Sequence, residues 1–361
     1  MQTILDMDRI ALVIGSTGIT GSNLTKELLK QGWSTYGLAR NPHRNEAGVL
    51  PIKANLLDIA NLELALQEVN PTHVFFTTWM RMESEEQNII VNSTIVQNLL
   101  NVVSKKGTVR HVSLVTGLKH YLGPFEAYAT KDSLPQTPIR EDQPRLSHPN
   151  FYYAQEDEIY KAAARDSFTW SIHRPHTVIG HAIGNLMNMG TTLAVYASLC
   201  KQAQLPFVFP GSEAQWNGLS DVTDARILAE QLVWAAETPT AANKAFNIAN
   251  GDLFRWSWLW KEVATWFDIP YIGYETEIKP LQNAMKDKAH LWEVLAKQHQ
   301  LVEPDINQLT SAWHTDLDLG RPIEVMTDMA NSRRLGFKAY YNTRDSFYQL
   351  FEKLRIDKII P

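Results

Sequence analysis

A single cysteine, Cys200, stands in 361 residues, so no disulfide can form within the chain. It lies in LAVYASLCKQ, a context that predicts a packed thiol rather than a reactive one. Dense lysine or arginine blocks are also missing: 34 basic residues against 39 acidic ones leave a net charge of −5. Nucleic acid and anionic membrane both call for a concentrated basic surface, so neither is expected as a partner. No uncharged apolar run approaches the roughly 20 residues of a membrane-spanning helix. The opening MQTILDMDRIALVIG carries Asp6 and Asp8 and lacks the basic start, long apolar stretch and cleavage site of a signal peptide. A cytoplasmic location is the expectation. The eleven histidines lack H-E-x-x-H spacing, and His173 and His176 fall at a strand end, so no metal site is expected.

What is present is an ordinary globular composition, 44% hydrophobic and 20% charged, on a chain long enough for one large domain or two fused lobes. Strand and helix signals alternate through the first half. IALVI (10–14) is a short β-branched run, followed by a helix with Leu24, Leu28 and Leu29 on its apolar side and Gly32 as its stop. Further strands are predicted over Trp33–Ala39, VLPIKANL (49–56), HVFFTT (73–78), HVSLVT (111–116) and FTWSIHRP, which ends at Pro175. The longest helical pattern runs roughly over Glu85–Lys105. Such alternation predicts an α/β fold: a Rossmann-type, doubly wound parallel sheet in the order 3-2-1-4-5-6, with a crevice at the carboxyl ends of its strands.

Beyond Gly180 the pattern loosens into a Met-rich helix, the loop-rich FVFPGSEAQWNGLSD, an amphipathic helix in VTDARILAEQLVWAAE and a short strand in KAFNIANG. WSWLWKEVATWF, with four tryptophans, reads as one packed helix, and further helices are expected near 283–299, 325–335 and 344–355. We therefore expect residues 1–180, plus about 219–250, to form a dinucleotide-binding domain. Residues 181–218 and 251–361 would form a smaller, mainly helical C-terminal substrate lobe.

The cofactor signal is Gly15-Ser-Thr17-Gly18-Ile19-Thr-Gly21, set between a strand and a helix. Gly15 permits a tight turn, Gly18 lets a diphosphate approach the backbone, and Gly21 lets the helix pack against the sheet. The helix start then offers free N–H groups and partial positive charge to phosphate. At the end of the second strand stand Arg40, Asn41 and Arg44, with no acid to engage a ribose 2′-hydroxyl, which favours NADPH/NADP+ through the 2′-phosphate. Leu57 and Asp58 follow the third strand. Asp58 suits either the adenine amino group or a helix N-cap. Thr78 and Trp79, after the fourth strand, and Pro175 and Val178, after the sixth, complete the cofactor contacts. Met80 borders the same crevice.

Hydride transfer to a carbonyl, or to a double bond conjugated with one, leaves negative charge on oxygen. A tyrosine hydroxyl can stabilise it, assisted by a lysine cation. The Tyr-x-x-x-Lys pattern of short-chain dehydrogenases is absent: Glu156 stands four residues beyond Tyr152, and Asp157 four beyond Tyr153. Only one of these adjacent tyrosines can face the crevice, and Tyr153 is taken as packing. A lysine, Lys119, lies instead just past the fifth strand, and Thr116 lies near where such enzymes place a catalytic serine.

TGLKHYLGPF (116–125) and NFYYAQED (150–157), with the G-x-x-G-x-x-G start, resemble the progesterone 5β-reductase/iridoid synthase group of short-chain dehydrogenases. HRPHTVIG, NIANGDLFRWSWLW and TDMANSRRLGF extend the resemblance over nearly the whole chain. It implies NADPH-dependent reduction of the activated C=C bond of a small enone or enal, with Lys119 and Tyr152 as the catalytic pair. Lys119 and Tyr152 would then also border the nicotinamide. Leu118 at the variable motif position and Ala154-Gln155 after the tyrosine pair depart from the family pattern away from the chemistry. The alternatives are 1,2-reduction of a ketone or aldehyde, a nucleotide-sugar epimerase or dehydratase, and a non-catalytic NADP(H) sensor. A homodimer is the base-rate expectation.

Overall fold

The computed structural model describes residues 9–42, 48–123, 135–182 and 184–361. Asp6, Asp8 and Arg44 lie outside these residues, as does the Pro124-Phe125 end of the TGLKHYLGPF motif. Among the described residues seven strands form one parallel sheet: β1 (Ile10–Ile14), β2 (Ser34–Ala39), β3 (Val49–Lys53), β4 (His73–Phe76), β5 (His111–Val115), β6 (Thr169–Pro175) and the Lys244–Ile248 strand. The order is β3-β2-β1-β4-β5-β6, as expected, with the Lys244–Ile248 strand added beside β6.

The central strand β1 (IALVI) and the Val74–Phe76 part of β4 read as apolar runs because both faces of the sheet centre are covered. Leu12, Ile14, Val74, Phe76, Val112 and Leu114 point into one core, against α3 (Glu85–Val103) and α5 (Phe151–Asp166). Ala11, Val13 and Phe75 point the other way, against α1 (Ile19–Lys30) and the Ala225–Glu237 helix. Each fully buried aliphatic side chain contributes about 1.5–3 kcal/mol to this arrangement. A short helix, α2 (Ile59–Ala65), follows β3 and is started by the side chain of Asp58. Gly32, at φ +80°, ends α1 as expected.

A second core forms around the Met189–Ala203 helix, buried from Met189 to Cys200. Phe207 stacks on Trp260 at 4.0 Å, and the Trp260 indole donates to the Phe207 carbonyl. Within the tryptophan-rich helix, Trp256–Phe267, Trp256 and Trp260 face inward one turn apart while Trp258 is exposed. Cys200 is buried here, and burial pushes its thiol up to about 11, which makes it a packed group as expected.

Four details differ from the sequence expectation. The loop-rich stretch contains a short helix, Glu213–Asn217, and the pattern near 283–299 divides into Leu281–Met285 and Ala289–His299. The helix expected near 325–335 shrinks to Ala330–Arg334, because Val325 and Thr327 are held extended by bridges to Ser220 and Ile139. A helix not foreseen, Ala312–Leu319, is capped by the hydroxyl of Ser311.

Burial holds three sheet histidines well below their ordinary pKa: His73 and His173 at about 4 and His111 at about 3. His111 bonds Thr169 and Ser171, and His173 bonds Ser171 and Gln231, all through neutral partners. The unfolded chain therefore binds more protons below about pH 6.5 than the folded one. Glu141, pushed up to about 7 by burial, opposes this between about pH 4.5 and 7, but as one group against three. The expected outcome is a denaturation midpoint that falls as pH drops from 6.5 towards 4.5. Each uncompensated group contributes up to about 1.4 kcal/mol per pH unit. A midpoint that held steady or rose over that range would contradict neutral buried histidines.

Candidate active site

At the end of β1 the chain turns on Gly15, at φ +83°, whose N–H donates to the Leu38 carbonyl of β2. A Cβ there would sit 2.7 Å from Thr78 Cβ, so a side chain is excluded by contact as well as by conformation. Gly21 lies still closer: its Cβ would be 2.2 Å from the Gly15 carbonyl oxygen. Gly21 thus packs α1 onto the glycine turn itself, rather than onto the sheet face. Gly18 caps α1 with no side-chain hydrogen bond, and a Cβ on it would meet nothing closer than 3.4 Å. Space over Gly18 and the amides at the helix start make a cradle that fits a diphosphate. Thr17 and Gly18 are partly exposed in it, while Ile19 is buried against Ala182, Ala225 and Val178.

Arg40 and Asn41 are exposed at the carboxyl end of β2, next to the Leu38 carbonyl that clasps the turn. Asp58 accepts from the Asn61 N–H at 3.0 Å, which is the N-cap alternative, and Leu57 beside it is 42% exposed. After β4, Thr77 bonds the Ile14 carbonyl, Thr78 abuts Gly15, and Trp79 stacks on Phe151 with ring centres 5.0 Å apart. Met80 lies alongside, its backbone bonded at both N–H and carbonyl by Asn92.

Tyr152 and Lys119 both lie near the carboxyl end of β5. Thr116 is buried there, with Oγ1 3.4 Å from the His173 carbonyl, and Gly117 follows. The Pro175 carbonyl, ending β6, accepts from Leu118 N–H just before α4 (Lys119–Leu122). Asn150 begins α5. Its side-chain oxygen accepts from Tyr152 N–H at 3.0 Å, and its amide donates to the Lys119 carbonyl at 2.9 Å. The Tyr152 hydroxyl then lies over Gly117, 3.3 Å from where a Cβ would be. Lys119 Nζ sits 4.5 Å from the centre of the Phe151 ring, which in turn lies 4.4 Å from the Tyr152 ring. Tyr153 points elsewhere, donating to the His120 carbonyl and accepting from Leu146 N–H, a packing role as expected.

Where a Tyr-x-x-x-Lys enzyme has its lysine, Glu156 is fully buried. Arg174 donates to Oε1 at 3.0 Å and Arg145 to Oε2 at 2.9 Å, with His120 Nδ1 3.2 Å from Oε1. Burial alone would raise this carboxyl, but the His120 contact and the Arg174 charge outweigh it and hold it at about 2. Arg174 continues to the Tyr121 hydroxyl, Tyr121 to Asn247, and Asn247 N–H to Glu141, which also accepts from Asn331 N–H. A second, largely buried cluster joins His176, Asp221, Arg321, Asp318 and Thr177. In the same segment as Trp79, the Arg81 guanidinium lies 3.7 Å from the centre of the ring of Trp313, which comes from the Ala312–Leu319 helix.

Sequence reasoning missed Glu85, whose carboxylate reaches Lys119 at 2.7 Å and Phe151 N–H at 2.8 Å. Its position after Ser84 marked only a helix start. Among the described residues no cluster of histidine, cysteine or acidic side chains could hold a metal ion, and no helix is long and apolar enough to cross a membrane.

Comparison with known proteins gives a consistent picture. The chain is 38% identical to a 3-oxo-Δ(4,5)-steroid 5β-reductase of Arabidopsis thaliana, over 98% of this chain and 94% of that one. It is 36% identical to an (S)-8-oxocitronellyl enol synthase of Camptotheca acuminata, over 99% and 94% of the two chains. Among solved structures, the UDP-glucose 4-epimerase of Thermotoga maritima superposes with a TM-score of 0.68 over 96% of this chain and 99% of that one. At 14% identity, that likeness concerns the fold alone. The model of the PRISE-like Rossmann-fold domain matches residues 55–361, and the chain belongs to that family.

Proposed function

We propose that this chain is an NADPH-dependent reductase of activated carbon–carbon double bonds, acting on a small enone or enal by conjugate hydride addition. The observation that carries the reading is the Tyr152 hydroxyl over Gly117 with the Lys119 ammonium at the same corner. It occurs in a chain 36–38% identical to a steroid 5β-reductase and an oxocitronellyl enol synthase.

In this reading residues 1–180, with about 219–250, hold the cofactor, and 181–218 with 251–361 enclose the substrate. The bound dinucleotide supplies a hydride to the β-carbon. Tyr152 donates a hydrogen bond to the carbonyl oxygen as charge gathers there, and the Lys119 cation makes the phenol a stronger donor. Thr116, buried beside Gly117 with its hydroxyl directed at the His173 carbonyl, takes a supporting place at the same corner. The α-carbon then takes a proton from water, leaving a saturated carbonyl. The Gly15–Gly21 turn binds the diphosphate, and Arg40 with Asn41 binds the 2′-phosphate. We assign the enzyme to the cytoplasm, and a homodimer is its base-rate assembly.

NADPH consumption with a simple cyclic enone, with the product identified by mass spectrometry, tests the reaction. A saturated ketone is expected. An allylic alcohol would replace conjugate addition with 1,2-reduction, and tight NADPH binding without turnover on a panel of enones would indicate a non-catalytic binder. Tyr152→Phe should lower kcat by about 10²- to 10⁴-fold while NADPH affinity stays within a few-fold. Full activity in that variant would remove Tyr152 from the chemistry. Arg40→Glu should raise KM for NADPH by about tenfold or more and leave KM for NADH nearly unchanged. An equal effect on both cofactors would mean that Arg40 does not meet the 2′-phosphate.

A further inference from the structure

In Tyr-x-x-x-Lys enzymes one helix carries both groups, so helix geometry sets their spacing. Here the two belong to different elements, Lys119 to α4 and Tyr152 to α5. A lysine on a flexible four-carbon stem has no fixed ammonium position of its own. Something outside both elements must supply it.

Glu85, at the first turn of α3, occupies the required place. Oε2 accepts from Lys119 Nζ at 2.7 Å, and Oε1 accepts from the N–H of Phe151 at 2.8 Å, the residue immediately before Tyr152. Asn88, one turn further along α3, donates to Oε2 at 3.3 Å and orients the carboxylate from its own helix. The Lys119 side chain is only 9% exposed, and the Phe151 ring lies beneath its ammonium. Asn150 holds the other end of the same lysine by its carbonyl. The titratable groups that flank α4 and α5 on the other side, Glu156, Arg145, Arg174, Asp157 and His120, are engaged with one another, and burial lowers the pKa of His120.

We propose that Glu85 is a positioning residue that clamps the Lys119 ammonium to the start of α5 and thereby sets the charge that acts on the Tyr152 hydroxyl. This rests on the assignment of Tyr152 and Lys119 as the catalytic pair. Removing the Glu85 charge has two effects of one sign. The ammonium is held less firmly in its protonated form, and while protonated it draws the phenol proton away more strongly. Both move the loss of activity at high pH to a lower pH.

The test is enone reduction by the full chain at saturating NADPH across pH 5.5–10, for the wild type and for Glu85→Gln, Lys119→Met, Tyr152→Phe and the Glu85→Gln/Lys119→Met double variant. Glu85→Gln is expected to lower kcat by about 10- to 100-fold with both KM values within a few-fold, and to shift the alkaline limb down by about one pH unit. The double variant should lose no more than Lys119→Met alone, because the two act as one unit. Wild-type kcat and an unshifted limb in Glu85→Gln, while Lys119→Met and Tyr152→Phe are impaired, would overturn the role of Glu85 alone. Full activity in Lys119→Met and Tyr152→Phe would overturn the catalytic pair, and with it this inference. Should Glu85→Gln fail to fold, Glu85→Asp keeps the charge and shortens its reach. A kcat reduced several-fold with the limb unmoved is then expected, and a wild-type kcat would overturn the clamp.

Discussion

A carboxylate with no exposed surface has to be neutralised where it stands, and Glu156 imposes that requirement on its whole neighbourhood. Arg174 comes to it from the end of β6, Arg145 from the segment before α5, and His120 from α4. These are the pieces of chain that flank the tyrosine. An unpaired charge at this depth would be far more damaging than the loss of an exposed ion pair, so the pieces are held in mutual register. The same chain of bonds passes through Tyr121 and Asn247 to Glu141 and reaches Asn331 in the C-terminal region. Helix α5 is thus fixed from behind before its first turn presents any group to the crevice.

That arrangement also accounts for the missing lysine. The position one turn beyond Tyr152 faces a pair of guanidinium groups, where a further cation would be repelled. A lysine can serve the tyrosine only from another element, and the strand-to-helix turn after β5 is at hand, with Gly117 under the hydroxyl itself. Gly117 has no side chain to separate the phenol from the turn. Asn150 then joins the turn to the helix by bonding both Lys119 and Tyr152 through their backbones.

Much of the sheet was legible in the sequence because its signals are local. IALVI is a continuous apolar run, HVFF and HVSLV are β-rich and mostly apolar, and Gly15 and Gly32 stand where positive φ is needed. The C-terminal region was less legible. Whether 325–328 coils into helix or stays extended is decided by Ser220 and Ile139, more than a hundred positions away. The site divides in the same way. Tyr152, Lys119 and Thr116 sit in recognisable strings of residues. Glu85 touches partners 34 and 66 positions distant, and no pattern within its own helix reveals them. Asp58 allowed two readings, and only its bond to Asn61 shows which one the backbone uses.

The close seating of Gly21 on Gly15 has a thermodynamic consequence for whatever settles over the turn. The turn and the first coil of α1 are locked together by contact closer than any side chain would permit, and Leu38 holds the turn from the neighbouring strand. The conformational entropy of ordering that loop is therefore spent during folding, not on association. An anionic ligand finds its amide donors already aimed, so its affinity is set by contact and charge rather than by rearrangement of the backbone.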